Sequence, residues 1–367
     1  MSHKEIMSRF ENPVVLAFGN PLLDIFLTND ENHLLSKYDL KVDEQKELDG
    51  ELMDQLITEL PEEARQKMSA GGCAQNTVRM LQRLCGNENG QKLCIYCGGL
   101  GSDARGEILK KLLQSANIDA RYAVHSTLPT GLCVSIVDGS YRSLLVNLGA
   151  AAVYTLENLR SMNLSLDGIK VIYIEGFFIT HSLDVAKEVL KEVQGKDIVI
   201  VFNLCGTYIF EEHQAAICEM VGLSKIVIGN DREMTALANS LNLKFENTTD
   251  IPFLLNNLKR VTVNASNSSS SDWSMSDGIF IMTQGGSDPA IIVWGQGNSA
   301  QVPPIEPSSP IVDTTGAGDS LVAGFLAGLL SGQDPKTCLE WGCKVASKVI
   351  TNLGASLPDE LPDDFLT

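Results

Sequence analysis

Asp313-Thr-Thr-Gly-Ala-Gly-Asp319-Ser320 runs without a break into the apolar stretch Leu321-Val-Ala-Gly-Phe-Leu-Ala-Gly-Leu-Leu330. A Gly-Ala-Gly turn feeding a small-residue helix leaves backbone N–H groups unpaired at the helix start, beside the positive end of its dipole. Such a place binds anions, phosphate above all. Yet the turn closes on a carboxylate, Asp319, which a phosphate repels. Negative charge beside an anion cradle makes sense where the carboxylate takes a proton from an alcohol that attacks phosphorus. Phosphoryl transfer to a hydroxyl is therefore the first reading. Gly-Ala-Gly alone would also let a turn pack closely on a helix, and Asp-Ser is an ordinary helix cap. The Asp residues on both sides and the paired threonines tip the balance toward chemistry.

Working outward, short β-branched runs alternate with stretches of helical period. Val14–Phe18, Leu93–Tyr96, Val171–Ile174, Ile198–Phe202, Ile226–Ile228 and Ile279–Met282 are almost continuously apolar, as strands buried on both faces are. Asn76–Leu84, Ile108–Ala116, Leu183–Val193 and Glu233–Leu241 read as helices between them. This alternation predicts an α/β fold with a mostly parallel central sheet flanked by helices. Ligands in such sheets sit beyond the carboxyl ends of the strands.

Two stretches break the rhythm. Residues 21–50 are extended and then charged, and residues 123–149 read as two strands joined by a turn at Asp138-Gly139. Together they predict a small β-sheet lid over the mouth of the main sheet, suited to excluding water from phosphoryl transfer. Residues 1–20, 51–122 and 150–367 then form the large catalytic domain, and 21–50 with 123–149 the small one. The serine-rich segment 264–276 is expected to be a mobile surface loop with no chemistry of its own.

Composition narrows the partners. A chain of 367 residues with a net charge of −18 is a poor ligand for nucleic acid or an anionic membrane. No apolar run reaches the length of a membrane span, and the polar N-terminus lacks a signal-peptide core. Nine scattered cysteines suggest reduced thiols, hence a cytoplasmic protein, with the nucleus left open. Cys94 and Cys97 stand in a strand-like run and are expected to be core rather than half a zinc site. A monomer acting on small molecules is the simplest expectation.

Further pieces could join the phosphate turn. Asn20, after the first strand, offers donor and acceptor atoms, and Asp24 offers acceptors for neighbouring hydroxyls. Ala70-Gly71-Gly72-Cys73-Ala-Gln-Asn76 lets a ligand approach the backbone, with Asn76 one turn into the following helix. Asn230 and Glu233 have the spacing of a capping box, which explains them structurally. The same geometry beyond a strand end could hold waters around Mg2+. The Walker pattern is absent, and Gly99-Leu-Gly101-Ser-Asp103-Ala104 is only a loose dinucleotide match in which Asp103 would face pyrophosphate.

In order along the chain, these pieces resemble the ribokinase-like (PfkB) carbohydrate and nucleoside kinases. Asp313–Asp319 is similar to that family's C-terminal signature and Gly101-Ser-Asp-Ala-Arg-Gly106 to its N-terminal one. Gly19-Asn-Pro-Leu-Leu-Asp24, Pro129-Thr-Gly-x-Cys133, Arg142-Ser-Leu144, Gly176-Phe177-Phe-x-Thr180, Gly229-Asn230-x-x-Glu233 and Thr283-Gln-Gly285 extend the likeness over nearly the whole chain, from about Asn12 to Pro358. The resemblance implies transfer of the ATP γ-phosphate to the 5′-hydroxyl of adenosine. Asp319 would be the base, and the amides of Gly316, Ala317 and Gly318 with Arg142 would take the phosphoryl charge. Asp24, Gly71, Gly72 and Asn76 would hold the ribose. Asn20, Leu22, Gln45, Cys73, Cys133, Leu144, Phe177 and Tyr208 would enclose the purine, with Phe177 offering a ring to stack. Thr283, Gly285, Asn230 and Thr314 would lie along ATP, and Asn230 with Glu233 would order Mg2+ through water. A sugar kinase or another nucleoside kinase of the same fold, or a catalytically silent nucleoside-binding protein, are the alternatives. Three departures from the family pattern fall at the nucleoside end: Glu47 in place of Leu, Cys73 in place of Ser, and Cys205-Gly-Thr-Tyr208 in place of Ser-Ala-Pro-Phe.

Overall fold

In chain order the strands are β1 (Val15–Phe18), β2 (Leu22–Thr28), β3 (Gln45–Glu47), β4 (Met68–Gly71), β5 (Cys94–Gly101), β6 (Asp119–His125), β7 (Gly131–Asp138), β8 (Tyr141–Asn147), β9 (Val171–Glu175), β10 (Val199–Asn203), β11 (Ile226–Asn230), β12 (Ile279–Thr283), β13 (Ala290–Trp294) and β14 (Asn298–Val302). They belong to a computed structural model that describes residues 10, 13–28, 34–42, 44–66, 68–86, 90–138, 141–264, 278–358, 361–362 and 365–366. Among these residues the strands form two sheets.

The large sheet has the order β14-β13-β12-β11-β10-β9-β1-β5-β6. It is parallel from β12 to β6 and ends in an antiparallel pair, β13 and β14. The pleat explains why the strands read as continuous apolar runs. Val15 and Ala17 of β1 enter the core on one face, Leu16 and Phe18 the core on the other. On the first face lie helices Cys73–Cys85, Ala104–Ser115, Ala317–Leu330 and Pro335–Val349, and on the second Gly176–Glu192, Ile209–Leu223 and Asp231–Ser240. Cys94 and Cys97 are buried in this core, and all nine cysteines are free thiols.

The small sheet has the order β3-β8-β7-β2-β4. It differs from the sequence expectation in one member, because Met68–Gly71, placed with the large domain, pairs antiparallel with β2. Met-Ser-Ala-Gly carries no β-branched residue, so nothing local marks it as a strand; the edge of β2 makes it one. At the other junction β6 runs to His125 in the large sheet, past the expected limit at residue 122. Strands β7 and β8 pair antiparallel as a hairpin. Gly139 of its expected turn, and nearly all of the serine-rich segment 264–276, lie outside the described residues. Among the described residues no helix is long and apolar enough to cross a membrane.

Candidate active site

A cavity of about 1020 Å³ opens where the carboxyl ends of the parallel strands meet the small sheet. Asn20 follows β1, while Glu175, Asn203, Asn230 and Thr283 are the last residues of β9, β10, β11 and β12, and all five line it. Topology thus delivers one polar side chain from each strand end. The small sheet supplies the roof by its two-residue period. Leu22 and Asp24 of β2, Cys133 and Ser135 of β7, Arg142, Leu144 and Val146 of β8, and Gln45 and Glu47 of β3 face the cavity. The alternate residues Leu23, Ile25, Leu132, Val134, Ile136 and Leu145 are buried in the core.

The phosphate turn is held from beneath by Asp313, which is buried. Its carboxylate accepts the Thr315 N–H (2.9 Å), the Thr315 hydroxyl (2.7 Å) and the Gly354 N–H (2.8 Å). Gly316 caps the helix at φ +74°, and a Cβ there would collide with the Ala355 methyl, so only glycine fits. One expectation needs correction. The Ala317 N–H donates to the Thr314 carbonyl at 3.2 Å, closing the turn, so it does not point outward with its neighbours. Gly318, in the first helical turn, has no intrahelical acceptor for its N–H. From the roof, Arg142 Nη1 donates to the Thr314 carbonyl at 3.3 Å, which hangs a cation over the turn.

Asp319 is 7% exposed. Asn76 Nδ2 donates to its Oδ2 at 3.0 Å, and the Thr77 hydroxyl donates to its backbone carbonyl at 3.3 Å. Both come from helix Cys73–Cys85, which packs against helix Ala317–Leu330 and so joins residues 243 positions apart. Burial raises the Asp319 pKa above its ordinary value, while Asn76, Arg142 and Cys73 hold it back. A carboxylate with a raised pKa, fixed by one hydrogen bond and open to a cavity, is equipped to accept a proton.

The opposite end is built around Asn20 and Glu175. Glu175, fully buried, accepts the N–H groups of Asn20 and Ala74, each at 2.6 Å, and so ties the end of β1 to the start of helix Cys73–Cys85. His181 Nε2 lies 3.1 Å from Asn20 Oδ1, and burial lowers its pKa to about 4, so the imidazole is neutral. With Oδ1 engaged, Asn20 Nδ2 is a buried donor without a partner, on the wall of the cavity. Asp24 faces the same space. Gly71 does not line the cavity, contrary to expectation; it sits on β4 opposite β2, where a Cβ would collide with the Asp24 carboxyl. Phe177 is stacked on Tyr208, ring centroids 5.7 Å apart and 23° from parallel, and Gln45 Nε2 donates to the Tyr208 hydroxyl at 3.0 Å.

Burial pushes Asp24 up from 3.8 to about 7 and Glu175 from 4.5 to about 8. Folded-state values above the unfolded ones mean the folded chain binds the extra protons. Stability of the ligand-free protein is then highest below pH 4 on these groups' account and declines as pH rises to about 8. The slope reaches up to about 1.4 kcal/mol per pH unit for each group. Urea midpoints measured from pH 4 to 8 are expected to fall, and Asp24→Asn is expected to remove its share below pH 7; an unchanged slope in the variant would refute the burial account.

Beyond β11, Asn230 Oδ1 accepts the Glu233 N–H (2.8 Å), and Glu233 accepts both the Asn230 N–H and its side-chain Nδ2, each at 2.9 Å. The capping box is therefore real, and Glu233 still lines the cavity, its pKa raised to about 7 by burial. Among the described residues no group of three or more His, Cys, Asp or Glu is placed to hold a metal. Thr283, Gly285 and Thr314 border the same region. Asp103, away from the cavity, accepts the N–H groups of Gly106 (2.7 Å) and Thr130 (2.8 Å), so the loose dinucleotide match is a helix cap.

All the candidate residues except Gly71 meet in this one cavity. Sequence reasoning missed Glu175 and His181. Glu175 had a signal, a carboxylate ending the apolar run Val-Ile-Tyr-Ile where a strand should meet the ligand side.

The chain matches the model of the pfkB family carbohydrate kinases over residues 33–362. The adenosine kinase of Saccharomyces cerevisiae is 30% identical over 351 residues, 94% of this chain and 97% of that protein. Among solved structures, Anopheles gambiae adenosine kinase in complex with P1,P4-di(adenosine-5) tetraphosphate superposes with a TM-score of 0.79 at 29% identity, covering 94% of this chain and 97% of that one. Schistosoma mansoni adenosine kinase in complex with adenosine and AMP superposes with a TM-score of 0.79 at 25% identity, covering 96% and 99%.

Proposed function

The chain belongs to the pfkB family of carbohydrate kinases, and on that premise we propose that it transfers the γ-phosphate of ATP to the 5′-hydroxyl of adenosine, giving AMP and ADP. The observation that carries this reading is Asp319, a buried carboxylate oriented by Asn76 between an anion-binding turn and a partly apolar recess. The similar adenosine kinases, one of them holding adenosine and AMP, support the choice of nucleoside.

Asp24 and Asn76 take the ribose hydroxyls, which places the 5′-oxygen against Asp319. Asn20 Nδ2 meets a ring nitrogen of the purine, and Leu22, Leu144 and Phe177 supply apolar surface around the base. As Asp319 accepts the hydroxyl proton, the 5′-oxygen attacks the γ-phosphorus. Charge then grows on oxygens facing the Gly318 amide, the helix dipole and Arg142. The small sheet excludes water from the reaction.

The donors present suit a hydrated Mg2+ carried in on ATP. Asn230 engages both Glu233 oxygens, which leaves contacts through water, the manner in which Mg2+ is commonly held. Bound there, the ion would neutralise charge on the nucleotide phosphates. The nine free thiols support a reducing compartment, the cytoplasm.

The test is ADP release with Mg-ATP against adenosine, inosine, ribose and fructose. Turnover with adenosine alone supports the reading. Turnover with a sugar would overturn the assignment of the purine recess while keeping the phosphate chemistry. A second expectation concerns His181, which orients the Asn20 amide. His181→Leu should raise KM for adenosine about five-fold, the worth of one hydrogen bond, with kcat within about two-fold. An unchanged KM would mean Asn20 needs no such anchor.

A further inference from the structure

Glu47 is a carboxylate on the part of the roof that lies farthest from the phosphate turn. On β3 the Lys46 side chain turns away from the cavity, donating to the Tyr38 carbonyl at 2.7 Å, so Gln45 and Glu47 on either side of it point inward. Register then fixes how far along the roof they stand. Strand β3 pairs parallel with β8, Gln45 beside Leu144 and Glu47 beside Val146. Arg142 marks the phosphate end of β8 by its bond to Thr314. Val146 is four residues further on, so Glu47 stands about 13 Å along the roof from the arginine's place in the strand. Gln45, between the two levels, donates to the hydroxyl of Tyr208, which is stacked on Phe177. Glu47 is thus one strand step beyond the glutamine that reaches the aromatic pair. Among the described residues its carboxylate makes no hydrogen bond and no ion pair. The nearest lysines along the chain are engaged elsewhere, Lys46 with Asp39 at 3.9 Å and Lys41 with Glu44 at 3.5 Å. Burial raises the Glu47 pKa, as befits a carboxylate partly withdrawn from water.

We propose that Glu47 is a specificity-determining residue of the nucleoside recess, its carboxylate accepting a hydrogen bond from the exocyclic amino group of a 6-aminopurine. This rests on the reading that adenosine occupies the recess with its 5′-hydroxyl at Asp319. With that oxygen held at the phosphate turn, the base lies toward the opposite end of the roof. The amino group sits on the six-membered ring, across the base from the glycosidic bond, and so reaches farthest. The apolar surfaces of Leu22, Leu144, Val146 and Phe177, which also line the cavity, cannot tell an amino group from a carbonyl of nearly the same size. A carboxylate can. It only accepts when ionised, so an amino donor satisfies it, whereas the carbonyl of a 6-oxopurine sets one acceptor against another. A leucine at this place would supply contact area and no such preference.

The experiment measures kcat and KM of the full chain, Glu47→Leu and Glu47→Gln with adenosine, inosine and purine riboside, which carries hydrogen in place of the amino group. Glu47→Leu is expected to lower kcat/KM for adenosine about ten-fold, the low end for a hydrogen bond to a charged group. The loss should appear in KM, with kcat within about two-fold, because the contact is the same in ground and transition states. Purine riboside should respond to neither variant by more than about two-fold. Glu47→Gln is nearly isosteric and can turn its NH2 toward a 6-carbonyl, so it should narrow the preference for adenosine over inosine about ten-fold. A Glu47→Leu loss shared equally by adenosine and purine riboside would mean that Glu47 only shapes the wall, and overturns the proposal. So does an adenosine-to-inosine ratio that neither variant changes while the parent still phosphorylates adenosine, and the functional reading then stands. A parent chain that phosphorylates sugars and no nucleoside overturns that reading and this assignment with it.

Discussion

Asp319→Asn is expected to lower kcat for adenosine phosphorylation by about 10²–10⁴, the usual worth of a general base, while the dissociation constant for adenosine changes little. The variant is nearly isosteric, and its amide oxygen can still accept from Asn76 Nδ2, which now meets Asp319 at 3.0 Å. The fold and the recess should therefore survive. Measured by stopped assays alongside calorimetric binding, intact binding with collapsed turnover identifies a group needed in the transition state only. Near-normal turnover would remove Asp319 from the role of base. The pH profile supplies a second check. The base must be ionised to act, so kcat/KM should fall as pH drops through the raised Asp319 pKa, with the acid limb above the ordinary carboxylate range.

Arg142→Ala should cost about 10²–10³ in kcat, comparable to removing one donor from a site of developing charge, with KM for adenosine within a few-fold. Arg142 reaches the phosphate turn from β8, donating to Thr314 at 3.3 Å, and makes no part of the apolar core. Its loss should therefore leave thermal stability close to that of the parent. Arg142→Lys should recover only part of the rate, because a point charge cannot reproduce the guanidinium's paired donors. A variant that lost adenosine affinity and kept kcat would show instead that the roof residue positions the nucleoside.

These two residues also mark how far local pattern carries. Asp319 was legible because its chemistry sits inside one contiguous motif, a turn, a helix start and a carboxylate within seven residues. Arg142 was named only through family resemblance, since one arginine on a strand carries no sign of what it faces. The buried strands β1, β5, β9, β10, β11 and β12 were legible because a sheet covered on both faces needs unbroken apolar runs. Strands β4 and β14 were not, being edge elements whose formation depends on the neighbour they pair with. Strand β13, an apolar run Ala290–Trp294 between β12 and β14, carried the same signal and was passed over. The occupied Ala317 amide was equally hidden, because a turn bond to Thr314 follows from the exact path of the chain.

By itself the sequence determined the layered α/β architecture, the phosphate turn and the kind of chemistry, because hydrophobic period, glycine placement and capping are encoded within a few residues of one another. The tertiary structure alone decided which groups meet. Asn76 reaches Asp319 through the packing of two helices, and Glu175 clamps Asn20 and Ala74 from the next strand. Those encounters depend on strand order and sheet register, which are set by contacts across long separations and leave no mark at any single place in the chain.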